Sequence, residues 1–294
     1  MVRRMQSLTY EIVDVFTDRP FAGNPLAVVF GADGLAAGQL QALANEFHLS
    51  ETIFILPPTT PEATYRARIF TTAKELPFAG HPSVGGAVTQ MRAGLFGPGT
   101  VVQECGAGLL PIVVGGDGSA LLAGGTPTIG PDLDPAPLLA AVGLTEADFV
   151  GPAPRTAGCG LEFTYLSVRP DALQRVAADA QAAGRYGIEQ VSVFAWDPAT
   201  RSTRTRVFVF DPDAWEDPAT GSAALGLGVW LVSSELLASD GLSAYTVRQG
   251  IEMGRPSTLE CEVTATNGTV ASATVAGSVM PIARGTIAVP PDGS

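Results

Sequence analysis

PATGSAALGLGVWLV, residues 218–232, ends in ten residues, Ala223 to Val232, that are apolar on every face of a helix. Such a helix has no side to show to water and must be buried all round. A second stretch, HPSVGGAVTQM at 81–91, is nearly as apolar, and its glycines let other backbone come close. Each follows a P-x-x-G turn, Pro77 to Gly80 before His81 and Pro218 to Gly221 before Ser222. Two all-round apolar helices need two wrappings. A strongly curved antiparallel or mixed sheet closing around one central helix in each half provides them, and the expected class is α/β (α+β).

Outward from the turns, the halves keep matching. Arg66-x-Arg68-Ile69-Phe70 precedes the first turn and Arg204-x-Arg206-Val207-Phe208 the second, each an alternating strand carrying two arginines. Periodicity places strands at 9–16, 26–30, 52–56 and 64–70, with helices at 38–48 and 82–92. In the second half it places helices near 138–148 and 171–183, and strands near 162–168, 191–195 and 204–210. GGTPTIGPDLDPAP, 124–137, is rich in Gly, Pro and Asp and reads as an inter-domain linker. The expected domains are 1–125 and 126–281, with a C-terminal strand over about 282–294 returning to the first.

Composition narrows the function. A chain of 294 residues with 46% hydrophobic residues can bury two cores of ordinary size. The net charge of −12 repels phosphate backbones, which argues against nucleic acid. No apolar run is long enough to span a bilayer, and the opening MVRRMQSLTYEIV lacks a signal-peptide core, so a cytoplasmic protein is expected. Three cysteines, Cys105, Cys159 and Cys261, sit in unrelated contexts without CxxC or a nearby histidine, which suits a reducing compartment and offers no zinc site. No phosphate-binding fingerprint occurs, and a Schiff-base enzyme would have to use Lys74, the sole lysine, which otherwise reads as a solvated loop residue. No metal and no cofactor are expected.

The residues able to carry chemistry are few. Ser222 is placed as an N-cap and Pro82 as a first helical residue, so each apolar helix presents unpaired N–H groups and a positive dipole end, suited to a carboxylate or phosphate. Simple capping explains Ser222 equally well. His81 either faces a ligand or is a satisfied structural ring. His48 ends a helix, where a structural role suits it. Glu51, between Leu49 and Ile53-Phe54, sits where desolvation would raise a carboxyl toward general-base use. Glu216 and Asp217 precede the second turn, as caps or as an acidic site. Asn24, between Gly and Pro, is by itself a turn signature. Cys105 in ECGAG reads as a strand residue.

Taken together, DVFTDRPFAGNPLAVV, LANEFHLSETIFI, RIFTTAKELPFAGHPSVGGA, CGAGLLPI, EDPATGSAALGLGVWL and RQGIEMGRPS run the length of the chain, and on them it resembles the PhzF family of phenazine-biosynthesis isomerase-like proteins. The resemblance implies the diaminopimelate-epimerase fold, two pseudo-symmetric domains with the active site in the cleft between them. It also implies that Glu51 is the catalytic acid/base, and that His81, Asp217 and Ser222 face the substrate. The related epimerases carry a cysteine in each turn, and neither PFAGH nor DPATGS does, so a two-thiol racemisation is excluded. The expected function is a cofactor-independent isomerase moving a proton on a small carboxylate-bearing, amino-acid-like or cyclic metabolite. Catalysis falls to Glu51, His81 and Asp217, and substrate binding to Asn24, Gly80, Ser83, Gly221, Ser222 and Ala223. Epimerisation at one carbon, or binding without turnover, are the alternatives. A small carboxylate and a second copy of the chain, as a homodimer, are the expected partners.

Overall fold

The computed structural model describes residues 6–210 and 214–291. Residues 1–5 and 292–294 lie outside these, so they cover neither the start of the opening segment nor the end of the strand expected over 282–294. The chain forms two compact units, one running to Leu122 and resuming at Ala276, the other Ala123–Val275.

In the first unit β1 (Ser7–Val15) pairs antiparallel with β2 (Asn24–Phe30). Helix α1 (Ala37–Phe47) then leads to β3 (Glu51–Leu56), which is parallel to β2. β4 (Tyr65–Phe70) returns antiparallel to β3 and carries the two-residue β5 (Glu75–Leu76) on its far edge. Helix α2 (Gly80–Arg92) crosses to β6 (Gly99–Cys105), parallel to β4, and β7 (Gly108–Val114) and β8 (Ser119–Ala123) follow antiparallel.

The second unit repeats this plan. β9 (Pro127–Ile129) pairs with β10 (Arg155–Cys159) beyond helix α3 (Pro135–Ala141). β10 pairs with β11 (Leu161–Ser167), and helix α4 (Ala180–Tyr186) leads to β12 (Gln190–Asp197), parallel to β11. β13 (Ser202–Phe210) and β14 (Ala214–Asp217) follow antiparallel. Helix α5 (Gly221–Ser233) crosses to β15 (Gly241–Gln249), parallel to β13, which pairs with β16 (Ser257–Thr266). An Asn267–Gly268 turn, both residues at positive φ as a tight hairpin requires, opens β17 (Thr269–Ala288). β17 pairs with both β8 and β1, closing β1–β2–β3–β4–β6–β7–β8–β17 into a barrel.

Each central helix is buried as its composition demands: α2 from Gly80 to Gln90, and α5 at Gly221 and from Ala223 to Val232. Strand residues can touch the helix backbone only where a side chain is missing. A Cβ on Gly85 would lie 2.5 Å from Leu26 and 2.8 Å from Val15, and one on Gly226 would lie 2.4 Å from Tyr165 Oη and 2.8 Å from the Ala157 carbonyl. In the second unit the close approach is fixed by two phenols. Tyr165 Oη donates to the Ala223 carbonyl and Tyr245 Oη to that of Ala224, both at 2.7 Å, and burial pushes both phenol pKa values well up, so they stay protonated donors. Outside the sheets, α1 covers a layer of Leu40, Leu43, Phe54 and Phe70, and α3 covers one of Leu139, Val142, Leu166 and Phe208.

The repeat seen in sequence is a repeated piece of construction. Arg68 holds Glu75 through two hydrogen bonds of 2.7 and 2.6 Å and lies over the Phe70 ring; Arg206 holds Glu216 at 2.9 and 2.6 Å and lies over Phe208. Phe70 is paired with Glu75 and Phe208 with Glu216, so both arginines staple the strand that leads into the turn. The match extends to two glycines the sequence comparison passed over: Gly106 packs on Pro77 and Gly250 on Pro218, the prolines that open the two turns.

Several local expectations are corrected. The helices begin two residues early, at Gly80 and Gly221, so Thr220, not Ser222, is the N-cap, and Pro82 is the third helical residue. That is permissible because the first turn's N–H groups have no intrahelical acceptor. The helix expected over 138–148 stops at Ala141 because Gly143 turns left-handed (φ +67°), leaving a single 3-10 turn at Glu146–Asp148. The one expected over 171–183 is broken, because Arg206 Nη1 takes the Leu173 and Val176 carbonyls at 2.9 and 3.0 Å; α4 restarts where Asp179 caps Gln181 and Ala182. The stretch 124–137 is no open linker: it supplies β9 and the Asp134 cap of α3.

This packing predicts opposite outcomes for two helical glycines. Gly226→Ala should lower stability by about 1–3 kcal/mol through overpacking. Gly184→Ala in α4, where a Cβ meets nothing within 4 Å, should raise it by about 0.4–1 kcal/mol. Urea unfolding midpoints of the two variants check both.

Candidate active site

Three segments of the first unit meet around His81. Because β2 and β3 are parallel, with Leu26 opposite Glu51, the start of one strand lies beside the start of the other. Asn24 opens β2 and Glu51 opens β3. His48 ends α1 in the left-handed region (φ 52°), turning the chain so that Ser50 and Glu51 arrive at the strand start; its role is in the backbone turn. His81 enters from the first turn of α2.

The side chains form a chain of contacts. Ser50 Oγ donates to Asn24 Oδ1 at 3.2 Å, Asn24 Nδ2 lies 3.3 Å from His81 Nδ1, and His81 Nε2 lies 3.5 Å from Glu51 Oε2. Asn24 is fully buried, the His81 side chain is 5% exposed, and that of Glu51 is 14% exposed, the most open of these three. Burial pushes the His81 pKa down from 6.5 to about 3, so the ring is neutral at physiological pH. Ser83 turns inward: its hydroxyl donates to the Ala79 carbonyl and accepts from Gln103, which in turn accepts from Tyr65. Gly80 is buried at the helix start.

The second unit brings together a different set. Asp217, the last residue of β14, is 7% exposed. Thr220 Oγ1 donates to its carboxylate, and Gln249 Nε2 donates to the Asp217 carbonyl at 2.7 Å and to Thr220 Oγ1 at 2.9 Å. Thr220 returns its backbone N–H to Gln249 Oε1 at 3.2 Å. Gly221, Ser222 and Ala223 form the first turn of α5, with Ser222 partly exposed and Ala223 buried. Glu216, weighed as an acidic candidate with Asp217, is committed to Arg206. Ser50, Thr220, Gln249 and Gln103 were not singled out in the sequence. Ser50 and Gln249 stand inside the motifs LSETIFI and RQG, but an amide's partner 29 residues away leaves no periodic trace.

The cysteines stand apart from both sets. Cys159 and Cys261 are buried, and burial pushes both thiols up, Cys159 to about 11, which disfavours thiolate; Cys105 ends β6. Lys74 is exposed in the loop before β5. Among the described residues no cluster of three or more His, Cys, Asp or Glu could hold a metal ion, and no helix is long and apolar enough to cross a membrane.

A histidine buried neutral makes folding sensitive to acid. Below pH 6.5 the unfolded chain binds a proton that the folded one refuses down to about pH 3, so stability falls with falling pH through this window, by up to about 1.4 kcal/mol per pH unit. Urea unfolding of wild type and His81→Asn at pH 7 and 5 should show a smaller loss in the variant.

Comparison with known proteins agrees with this architecture. The profile of the phenazine biosynthesis-like family (PhzC-PhzF) matches residues 13–285. An uncharacterized isomerase of Mesorhizobium japonicum is 35% identical, covering 96% of this chain and 99% of the relative. Trans-2,3-dihydro-3-hydroxyanthranilate isomerase of Pseudomonas aeruginosa is 33% identical over 94% and 98%. The crystal structure of a Bacillus anthracis phenazine biosynthesis protein of the PhzF family superposes with a TM-score of 0.86 over 96% of this chain and 99% of that one; at 22% identity it speaks to the fold. With the profile matched nearly end to end and full-length relatives above 30% identity, this chain belongs to the PhzC-PhzF family of phenazine biosynthesis-like proteins.

Proposed function

We propose that the chain is a cofactor-independent isomerase that moves a proton between carbons of a small carboxylate-bearing metabolite, with Glu51 removing the proton and returning it. The observation that carries this reading is the unequal filling of a repeated framework. Phe54 pairs with Arg68, and Val193 with Arg206, so Glu51, which opens β3, corresponds to Gln190, which opens β12. Gln190 spends its amide on the Glu162 carbonyl and cannot exchange protons. By the same correspondence His81 matches Ser222, and Asp217 matches Leu76, since Ile69 pairs with Leu76 and Val207 with Asp217. The framework is doubled, but the strand-opening carboxylate occurs once, which suits a one-base shift.

In this reading, the N–H groups at the start of α2 hold the carboxylate. His81 donates from a neutral ring. Positioned acid–base catalysis of this kind supplies roughly 10²- to 10⁴-fold. The second reading, epimerisation at one carbon, takes Asp217 as a further acid/base, and Asp217 is buried and hydrogen-bonded as such a role would need. The relative named for trans-2,3-dihydro-3-hydroxyanthranilate makes that compound the first to try, followed by amino-acid-like carboxylates.

Turnover in deuterated water, followed by mass detection, tests the proposal. Glu51→Gln should lose at least about 10²-fold in rate while still folding and binding, because the amide keeps the shape and cannot take a proton; a rate within a few-fold of wild type removes Glu51 from its role. A one-base shift should return part of the abstracted hydrogen to the product, whereas a two-base epimerase delivers solvent deuterium. A variant with all three cysteines replaced by Ala or Ser should, once shown to be folded, keep most activity; its loss would restore a thiol mechanism.

A further inference from the structure

The contacts at His81 also fix where its proton sits. A neutral imidazole carries one N–H, on either Nδ1 or Nε2. Nε2 lies 3.5 Å from the Glu51 carboxylate. With the proton on Nδ1, a ring lone pair and a carboxylate oxygen would face each other in a largely buried space, where such repulsion is poorly screened. With the proton on Nε2 the contact is attractive, and Nδ1 then presents a lone pair that needs a donor. Asn24 presents one: its amide nitrogen lies 3.3 Å from Nδ1, while its carbonyl takes the Ser50 hydroxyl at 3.2 Å. Every donor then faces an acceptor, in one direction: Ser50 to Asn24, Asn24 to His81, His81 toward Glu51.

We infer that Asn24, oriented by Ser50, is a positioning residue that locks His81 as the Nε2–H tautomer, so that His81 acts in the reaction only as a hydrogen-bond donor and never as the base. Reversing the chain would require the Asn24 amide to rotate, and Asn24 is fully buried. The polarity therefore persists through the cycle: the Nε2 proton steadies the carboxylate form of Glu51, or charge developing on the substrate, while proton removal falls to Glu51 alone. The assignment deepens the reading of Glu51 as acid/base, and its catalytic half rests on that reading; the tautomer itself does not.

The chain has only two histidines, which makes the tautomer directly measurable. In ¹⁵N-histidine-labelled protein, His48→Asn leaves a single ring, and asparagine tolerates the left-handed backbone at that position. The expected spectrum at pH 7 has a protonated Nε2 and an unprotonated Nδ1. Asn24→Asp, which replaces the donor by an acceptor, should move the proton to Nδ1. Asn24→Ala should give a mixture, and Ser50→Ala a smaller shift in the same sense. A ring protonated on Nδ1 in the otherwise unaltered protein overturns the inference without touching Glu51, and so does an unchanged tautomer in folded Asn24→Ala. For turnover, Asn24→Asp should lower kcat by about 10²- to 10⁴-fold, as a wrongly protonated catalytic histidine does elsewhere, with KM within a few-fold. A tautomer switch with no loss of kcat would overturn the catalytic half alone.

Discussion

The structure depends on burying a helix on every face. A strand sheet can do this only by curving until it meets itself, and the backbone can approach the helix only where side chains are absent. Gly85 against Leu26 and Val15, and Gly226 against Tyr165 and Ala157, meet that condition in the two units. The fully buried side chains of α5, Trp230 and Leu231 among them, each contribute on the order of 1.5–3 kcal/mol. The helix's enclosure also decides where chemistry can occur. Its flanks are covered by strands, so its first turn, fed by the P-x-x-G loop, is where polar groups gather.

That first turn is built in the same way twice and used differently. An arginine stacked on phenylalanine and doubly bonded to glutamate sets the strand before each loop, and a glycine packs on each loop's proline. On this shared scaffold the first unit places Glu51, His81 and Asn24, and the second places Asp217, Thr220 and Gln249. The residues that hold the scaffold recur between units. The candidate site residues do not: Glu51 stands where the second unit has Gln190, and Asp217 where the first has Leu76.

Burial governs the electrostatics of the first set. It keeps His81 neutral beside Glu51, and it shields Asn24 from solvent.

The fold was legible in the sequence because burial is periodic. Ten consecutive apolar residues at 223–232, two matching turns and two alternating Arg-x-Arg strands require two sheet-wrapped helices; of the polar residues singled out, Glu51 opens β3, His81 lies in the first turn of α2 and Asp217 ends β14. Where the sequence misled, a distant side chain had taken a local hydrogen bond: Arg206 ends the helix expected over 171–183 by taking two of its carbonyls, and Thr220 turns to Asp217 and Gln249 while Gly221 starts the helix two residues early. The sequence by itself determined the period of burial and the candidate groups in each turn, since both are properties of neighbouring residues. Only the tertiary structure decided that Ser50, Asn24, His81 and Glu51 form one chain of contacts, because these depend on which atoms the fold brings face to face from residues 26 and 57 positions apart.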